Sequence, residues 1–205
     1  MVRIACLALA LLPALTAQGA QAPVRPPAPA GLSWDEAESL ARKVVAFEQR
    51  LRMRSTKRET ITVTQGELNS FLNLTYAPKM PKGVTGVSIR FDNERIEAQG
   101  TVDLEQVGAS PQQDRSRYSL MSLLSPAVPV LLRGRLVNQD GFGTLQWEEI
   151  RLSSLPLPLG ALSSMVAAAT KSARYPNGVD IQAPFRLPYS ARKVRLEPGR
   201  AVLEF

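Results

Sequence analysis

From Ser33 onward the chain switches between two hydrophobic periods, and the switches mark out its elements. Ala37, Leu40, Val44, Phe47 and Leu51 recur at steps of three and four, which places them on one stripe of a helix from Ser33 to about Ser55. Ser33 and Glu36 have capping-box spacing; Asp35, Glu36 and Glu38 lie near the positive end of the helix dipole, and Arg50, Arg52 and Arg54 near the negative end. Thr60-Ile61-Thr62-Val63 then reads as a strand. It runs directly into another capping-box pattern, Thr64 with Glu67, ahead of a short helix whose apolar face is Leu68, Phe71 and Leu72 and which ends at Tyr76-Ala77-Pro78.

From Val84 the period falls to two. Val87, Ile89 and Phe91 alternate with polar residues, Asp92-Asn93 turns the chain, and Ile96, Ala98, Val102 and Leu104 resume, which predicts an antiparallel hairpin with a bulge or close backbone approach at Gly100. Residues 108–117 are polar and loop-like, and Leu120 to Val128 is a nearly uncharged apolar stretch. Val130 to Val137 and Gly143 to Leu152 flank the turn-rich segment from Asn138 to Phe142, a further hairpin. Ala161 to Ser172 reads as a third helix with Leu159, Leu162, Met165, Val166 and Ala169 on one face. Strands over Val179 to Leu187, Arg192 to Leu196 and Arg200 to Phe205 complete the chain. Strands that follow one another through turns pair antiparallel, so the order predicts an α+β domain with helices on one face of a curved, mostly antiparallel sheet.

Three stretches organise the rest. Arg3, the apolar run from Ile4 to Leu15 and the small residues that follow form a secretory signal over residues 1–20, with an apolar run too short to span a bilayer. Residues 21–32, rich in Pro and Ala, form a spacer that favours extended backbone and cannot build a core. Residues 33–205 are long enough for one domain with a sizeable core. The expected destination is the periplasm or the exterior, with the protein at most peripheral to a membrane.

Composition then removes chemistry. The chain has no histidine, and its one cysteine, Cys6, lies inside the signal. The exported domain therefore lacks a thiol nucleophile, a disulfide, the commonest zinc ligands and the usual base for a catalytic serine. Ser190 and Lys193 have Ser-x-x-Lys spacing, but the pattern precedes a strand and lacks the companion motifs of penicillin-recognising enzymes. Glycoside hydrolysis would need a carboxylate pair, and two are candidates, Glu148/Glu149 and Asp103/Glu105. Glu148 and Glu149 are adjacent and should face opposite sides of a strand, Asp103 and Glu105 fit an exposed edge, and neither pair lies beside an aromatic platform. No calcium-loop pattern occurs, and the Asn73-Leu74-Thr75 sequon falls at an expected helix end. These readings give no catalytic residue, cofactor or metal ligand.

The formal charge is +7, and much of it is local: residues 42–58 hold seven basic side chains against the single acid Glu48. Such a cluster is either a solvated helix end complementing the dipole or a face for an anionic membrane surface, with Arg50, Arg52, Arg54, Lys57 and Arg58 meeting head groups. Export argues against nucleic acid as the partner. The apolar faces likewise have two readings. Leu68, Phe71, Leu72, Leu162, Met165 and Val166 are all core, or they line a groove for an acyl chain.

Ile61 to Leu72, and the ending Leu187-Pro188-Tyr189 with Val194 to Arg200, resemble small extracytoplasmic bacterial proteins of the YpmS-like kind. Their architecture is similar to the tubular lipid-binding (TULIP-like) folds. The resemblance implies a strongly curved, mostly antiparallel sheet with helices packed on its concave face, and a lipid-related role. It does not extend to the first basic helix, it carries no functional residue over, and a cleavable signal stands where such proteins often have a membrane anchor. Together these readings lead to the expectation of an exported, non-enzymatic protein that binds lipid or a lipid-bearing envelope molecule in an apolar groove. The alternative is a structural or protein-interaction module of the envelope with no small-molecule ligand. A hydrolase using carboxylates, or Ser190 with Lys193, ranks third.

Overall fold

The computed structural model describes residues 26–53, 58–103, 106, 127–171 and 175–205. The expected signal, the polar and apolar loop stretches between 107 and 126, and Arg54 and Lys57 lie outside the described residues. The class is α+β; the described residues form three α-helices, and the strand pairings among them are antiparallel.

The strands divide between two sheets. In the smaller, β1 (Thr60–Thr64) pairs with β9 (Arg200–Glu204), which pairs with β8 (Lys193–Glu197), so the strand after the first helix is closed by the last strand of the chain. The larger has the order β2 (Val84–Asp92), β3 (Arg95–Asp103), β4 (Ala127–Gln139), β5 (Phe142–Leu152) and β6 (Leu155–Pro156), with the two-residue β7 (Phe185–Arg186) on the start of β5. Its two hairpins close on Asn93-Glu94 and Asp140-Gly141, each pair at positive φ, the two-residue geometry whose twist matches that of the strands. The β4–β5 connection is thus tighter than the five-residue turn the composition suggested.

Helix α1 (Trp34–Arg52) buries Ala37, Leu40, Val44 and Phe47 as its spacing requires, but Leu51 is 42% exposed. Below α1, Phe47 stacks on Tyr189 at 4.8 Å and meets Phe205 at 5.5 Å. One turn on, Leu51 and Arg52 are exposed. The capping box expected at Ser33 does not form. Ser70 takes its place by accepting the Ser33 N–H at 3.0 Å and donating its own hydroxyl to Glu36 Oε2 at 3.0 Å, which ties α1 to the next helix.

The box at Thr64 does form. It opens α2 (Gln65–Ser70), which continues as a π-helical turn over Phe71–Thr75. Helix α3 (Leu159–Ala169) seats Leu162 and Val166 on Leu132 and Ile150 of the large sheet and on Val179 and Ile181. The expected strand from Val179 to Leu187 shrinks to β7. Pro184 supplies no ladder donor, and Val179 and Ile181 turn inward beneath α3 instead. Gly178 (φ +76) makes this approach possible, since a Cβ there would stand 2.0 Å from the Ala167 carbonyl oxygen. The irregularity foreseen at Gly100 lies across from it, as a bulge between Thr85 and Ser88 of β2.

Candidate functional site

The junction of α1, β1 and α2 concentrates the buried polar groups. Glu67 is 7% exposed and accepts from Lys43 Nζ at 2.7 Å on both oxygens, from Ser39 Oγ at 2.5 Å and from the Thr64 N–H at 2.9 Å. Lys43 also donates to the Thr62 carbonyl at 2.7 Å. Burial pushes the Glu67 carboxyl up, and the hydrogen bonds from Lys43, Ser39 and Thr64 outweigh it and hold the group below its ordinary value. A carboxylate already saturated by donors is a clamp rather than an acid or base. Lys43 therefore leaves the surface cluster to which its sequence position assigned it.

Helix α2 also closes the free edge of the large sheet. Along β2 the Ile89 N–H donates to Asn69 Oδ1 at 2.7 Å and the Ile89 carbonyl accepts from Asn69 Nδ2 at 3.0 Å. One turn on, Asn73 Nδ2 donates to the Val87 carbonyl at 2.6 Å, and one turn back Gln65 Oε1 accepts the Phe91 N–H at 3.3 Å. Amides at positions i, i+4 and i+8 thus stand in for a missing strand and cover an edge that would otherwise be sticky. The Asn73 sequon nitrogen is committed to this role. Asn138 does the same between the sheets, bonding the Val194 N–H at 2.9 Å and its carbonyl at 2.7 Å.

Two concavities flank this junction. An apolar cavity of about 80 Å³ lies in the seam between the sheets, walled by Val63, Leu196, Ala201 and Leu203 of the small sheet, Phe91, Ile96, Leu136 and Leu145 of the large one, and Leu68 of α2. An open, charged concavity of about 820 Å³ lies at the β2–β3 end, lined by Arg90, Asp92, Arg95, Glu97, Arg133, Glu148 and Glu149 among others. Glu148 and Glu149 both face it, contrary to the expectation for adjacent strand residues. A bulge opposite Arg133/Gly134 turns both outward while Trp147 and Ile150 point in. Their charges are spent across strands: Arg95 Nε lies 3.2 Å from Glu148, while Arg133 bridges Glu97 and Glu149. Of the other pair, Asp103 accepts from the Gln106 side chain at 2.6 Å, and Glu105 lies outside the described residues. Ser190 ends a 3-10 turn and Lys193 opens β8, both exposed.

The six groove candidates divide between two clusters. Leu68, Phe71 and Leu72 are 4%, 1% and 2% exposed in the main core. Leu162 and Val166 belong to the smaller cluster under α3, with Met165 half-buried on the same helix. Of the six, only Leu68 reaches the seam cavity.

The basic candidates divide as well. Arg50 donates to Glu59 Oε2 at 3.1 Å and lies over the Phe205 ring, its carbon 4.8 Å from the ring centre. Arg52 is exposed on the last turn of α1 and Arg58 is exposed just ahead of β1, while Arg42 points outward midway along the helix. Among the described residues no helix is long and apolar enough to cross a membrane, and no group of three or more carboxylates could hold a metal ion. Comparison with known proteins finds no matching family model, no matching curated protein and no matching solved structure.

Proposed function

We propose that this is an exported, non-enzymatic protein that binds lipid, or a lipid-bearing molecule of the cell envelope, in the seam between its two sheets. The observation that supports the reading is the seam cavity itself, whose walls from both sheets and from Leu68 are aliphatic or aromatic. A polar ligand entering such a space loses its water without gaining a partner, whereas an apolar one gains about 25 cal/mol per Å² buried. The reading includes a strongly curved large sheet with helices on its concave face, as the tubular lipid-binding resemblance implies; the bulges at Thr85/Ser88 and Arg133/Gly134 are devices that bend strands. The expected signal supplies the route to the envelope.

Mass spectrometry of an organic extract tests it, using protein purified from its own envelope without detergent beside an unrelated exported control. A specific stoichiometric lipid is expected. An extract matching the control overturns the reading.

The size of the cavity favours another reading. A space of about 150 Å³ is what it takes to admit benzene, so a seam of about 80 Å³ must part to admit an acyl chain. If the seam stays shut, the protein is an interaction module of the envelope, recovered with a partner by crosslinking and free of lipid.

A further inference from the structure

The outward face of α1, away from the core stripe, carries two kinds of side chain that a merely solvated helix has no reason to combine. Val45 and Met53 are 52% and 82% exposed. Arg42 and Arg52 flank them with side chains 73% and 69% exposed, and each approaches an acid of its own helix only at 4.0 Å, Arg42 to Glu38 and Arg52 to Glu48. Arg42, Val45 and Arg52 fall within one outward stripe at steps of three and seven, about 15 Å long at 1.5 Å per residue. Met53 closes its end, and Arg58 is exposed just beyond.

Arg50 is the last anchor, held by Glu59 and the Phe205 ring. Among the described residues the acids near this face are Glu38 and Glu48, both on α1, and Glu59, which Arg50 holds; Asp35 and Glu36 lie in the first turn of the helix.

We infer that this face of α1 docks on an anionic phospholipid bilayer, with Arg42, Arg52 and Arg58 on the phosphates and Val45 and Met53 reaching into the interface. Charge complementarity selects the partner. Apolar side chains ringed by guanidiniums match a surface that is negative outside and hydrocarbon beneath, the pattern of interfacial helices. A long unbranched methionine suits a fluid, irregular partner. The inference rests on the proposed lipid-related role for its compartment but not for its site. The seam cavity and the helix face are separate, so a protein with an empty seam can still bind vesicles, and a loaded one can fail to.

The test is co-sedimentation of the exported chain, freed of the expected signal, with vesicles of phosphatidylcholine alone or mixed with phosphatidylglycerol. Binding is expected only to the mixed vesicles and is expected to weaken with salt. Arg42→Ala with Arg52→Ala should weaken it roughly 25-fold, about fivefold per charge, and Val45→Ser with Met53→Ser about tenfold. All four positions are exposed, and circular dichroism checks the fold of each variant. The exported chain has no cysteine of its own, so an environment-sensitive dye on Met53→Cys should shift to the blue on mixed vesicles while the same dye on Gln99→Cys, on an outer strand face, does not. Failure to bind the mixed vesicles overturns the inference. So does binding untouched by the arginine changes, or binding without a shift at position 53, which would assign the helix face to an acidic polymer or protein.

Discussion

Of the three amides that cover the β2 edge, Asn69 should cost the most to replace with alanine. The side chain makes two hydrogen bonds to one residue, at 2.7 Å with the Ile89 N–H and 3.0 Å with its carbonyl, and Ile89 is 1% exposed. Alanine removes both and leaves a strand-edge donor and acceptor with no partner and little access to water. Two net hydrogen bonds contribute about 2 kcal/mol, and stranding the buried groups adds about 1–3 kcal/mol. Alanine's better helix propensity offsets about 0.5 kcal/mol. The balance is a loss of about 2.5–4.5 kcal/mol, or a fall in Tm of roughly 5–18 °C for a domain of this size. Asn73→Ala, which removes a bond to the half-buried Val87, should cost about 1 kcal/mol. Urea denaturation of the two variants beside the parent measures both. An Asn69→Ala variant within about 0.5 kcal/mol of the parent, or one no worse than Asn73→Ala, refutes the claim that amides stand in for a strand at this edge.

Other changes probe the remaining parts. Gly178→Ala places a methyl 2.0 Å from the Ala167 carbonyl at φ +76, so the loop under α3 must shift at a cost above about 2 kcal/mol, read as a lower Tm. Glu67 has a folded pKa below its ordinary 4.5, so its contribution is complete above that pH and is lost as pH falls through and below it; Glu67→Gln should be less stable than the parent near neutrality and show a shallower loss of stability in acid titrations. Ala201→Val adds two methyl groups to the seam and should raise stability by about 0.5–1.5 kcal/mol in urea if the cavity is a true void, whereas a loss would mean the seam is already packed.

Local signals were legible wherever one residue type admits one job. The period changes placed α1, both hairpins and the Thr64/Glu67 cap, because amphipathic spacing and capping are decided within a few residues. Long-range partners were not. The Ser33/Glu36 pattern is the same motif as Thr64/Glu67, yet Ser70, 37 positions away, took over the Ser33 N–H. Lys43 reads as one of seven basic residues, and only the fold reveals that it turns inward to Glu67. The bulge that turns Glu148 and Glu149 to one side leaves no composition signal. The amide ladder did leave one in Gln65, Asn69 and Asn73 at intervals of four, unusual polar residues beside an apolar helix face, but its meaning depends on a strand edge that is invisible in the sequence. Leu51 continued the stripe by spacing, yet it is 42% exposed, one turn past the contacts of Phe47 with Tyr189 and Phe205.

The most direct measurement of the central claim is native mass spectrometry of the intact chain, released from its own envelope without detergent, beside an Ala201→Leu variant that fills the seam. The account predicts one lipid-sized adduct on the parent and its loss from a folded variant. A bare mass for the parent, or an adduct that the filled seam retains, would contradict it.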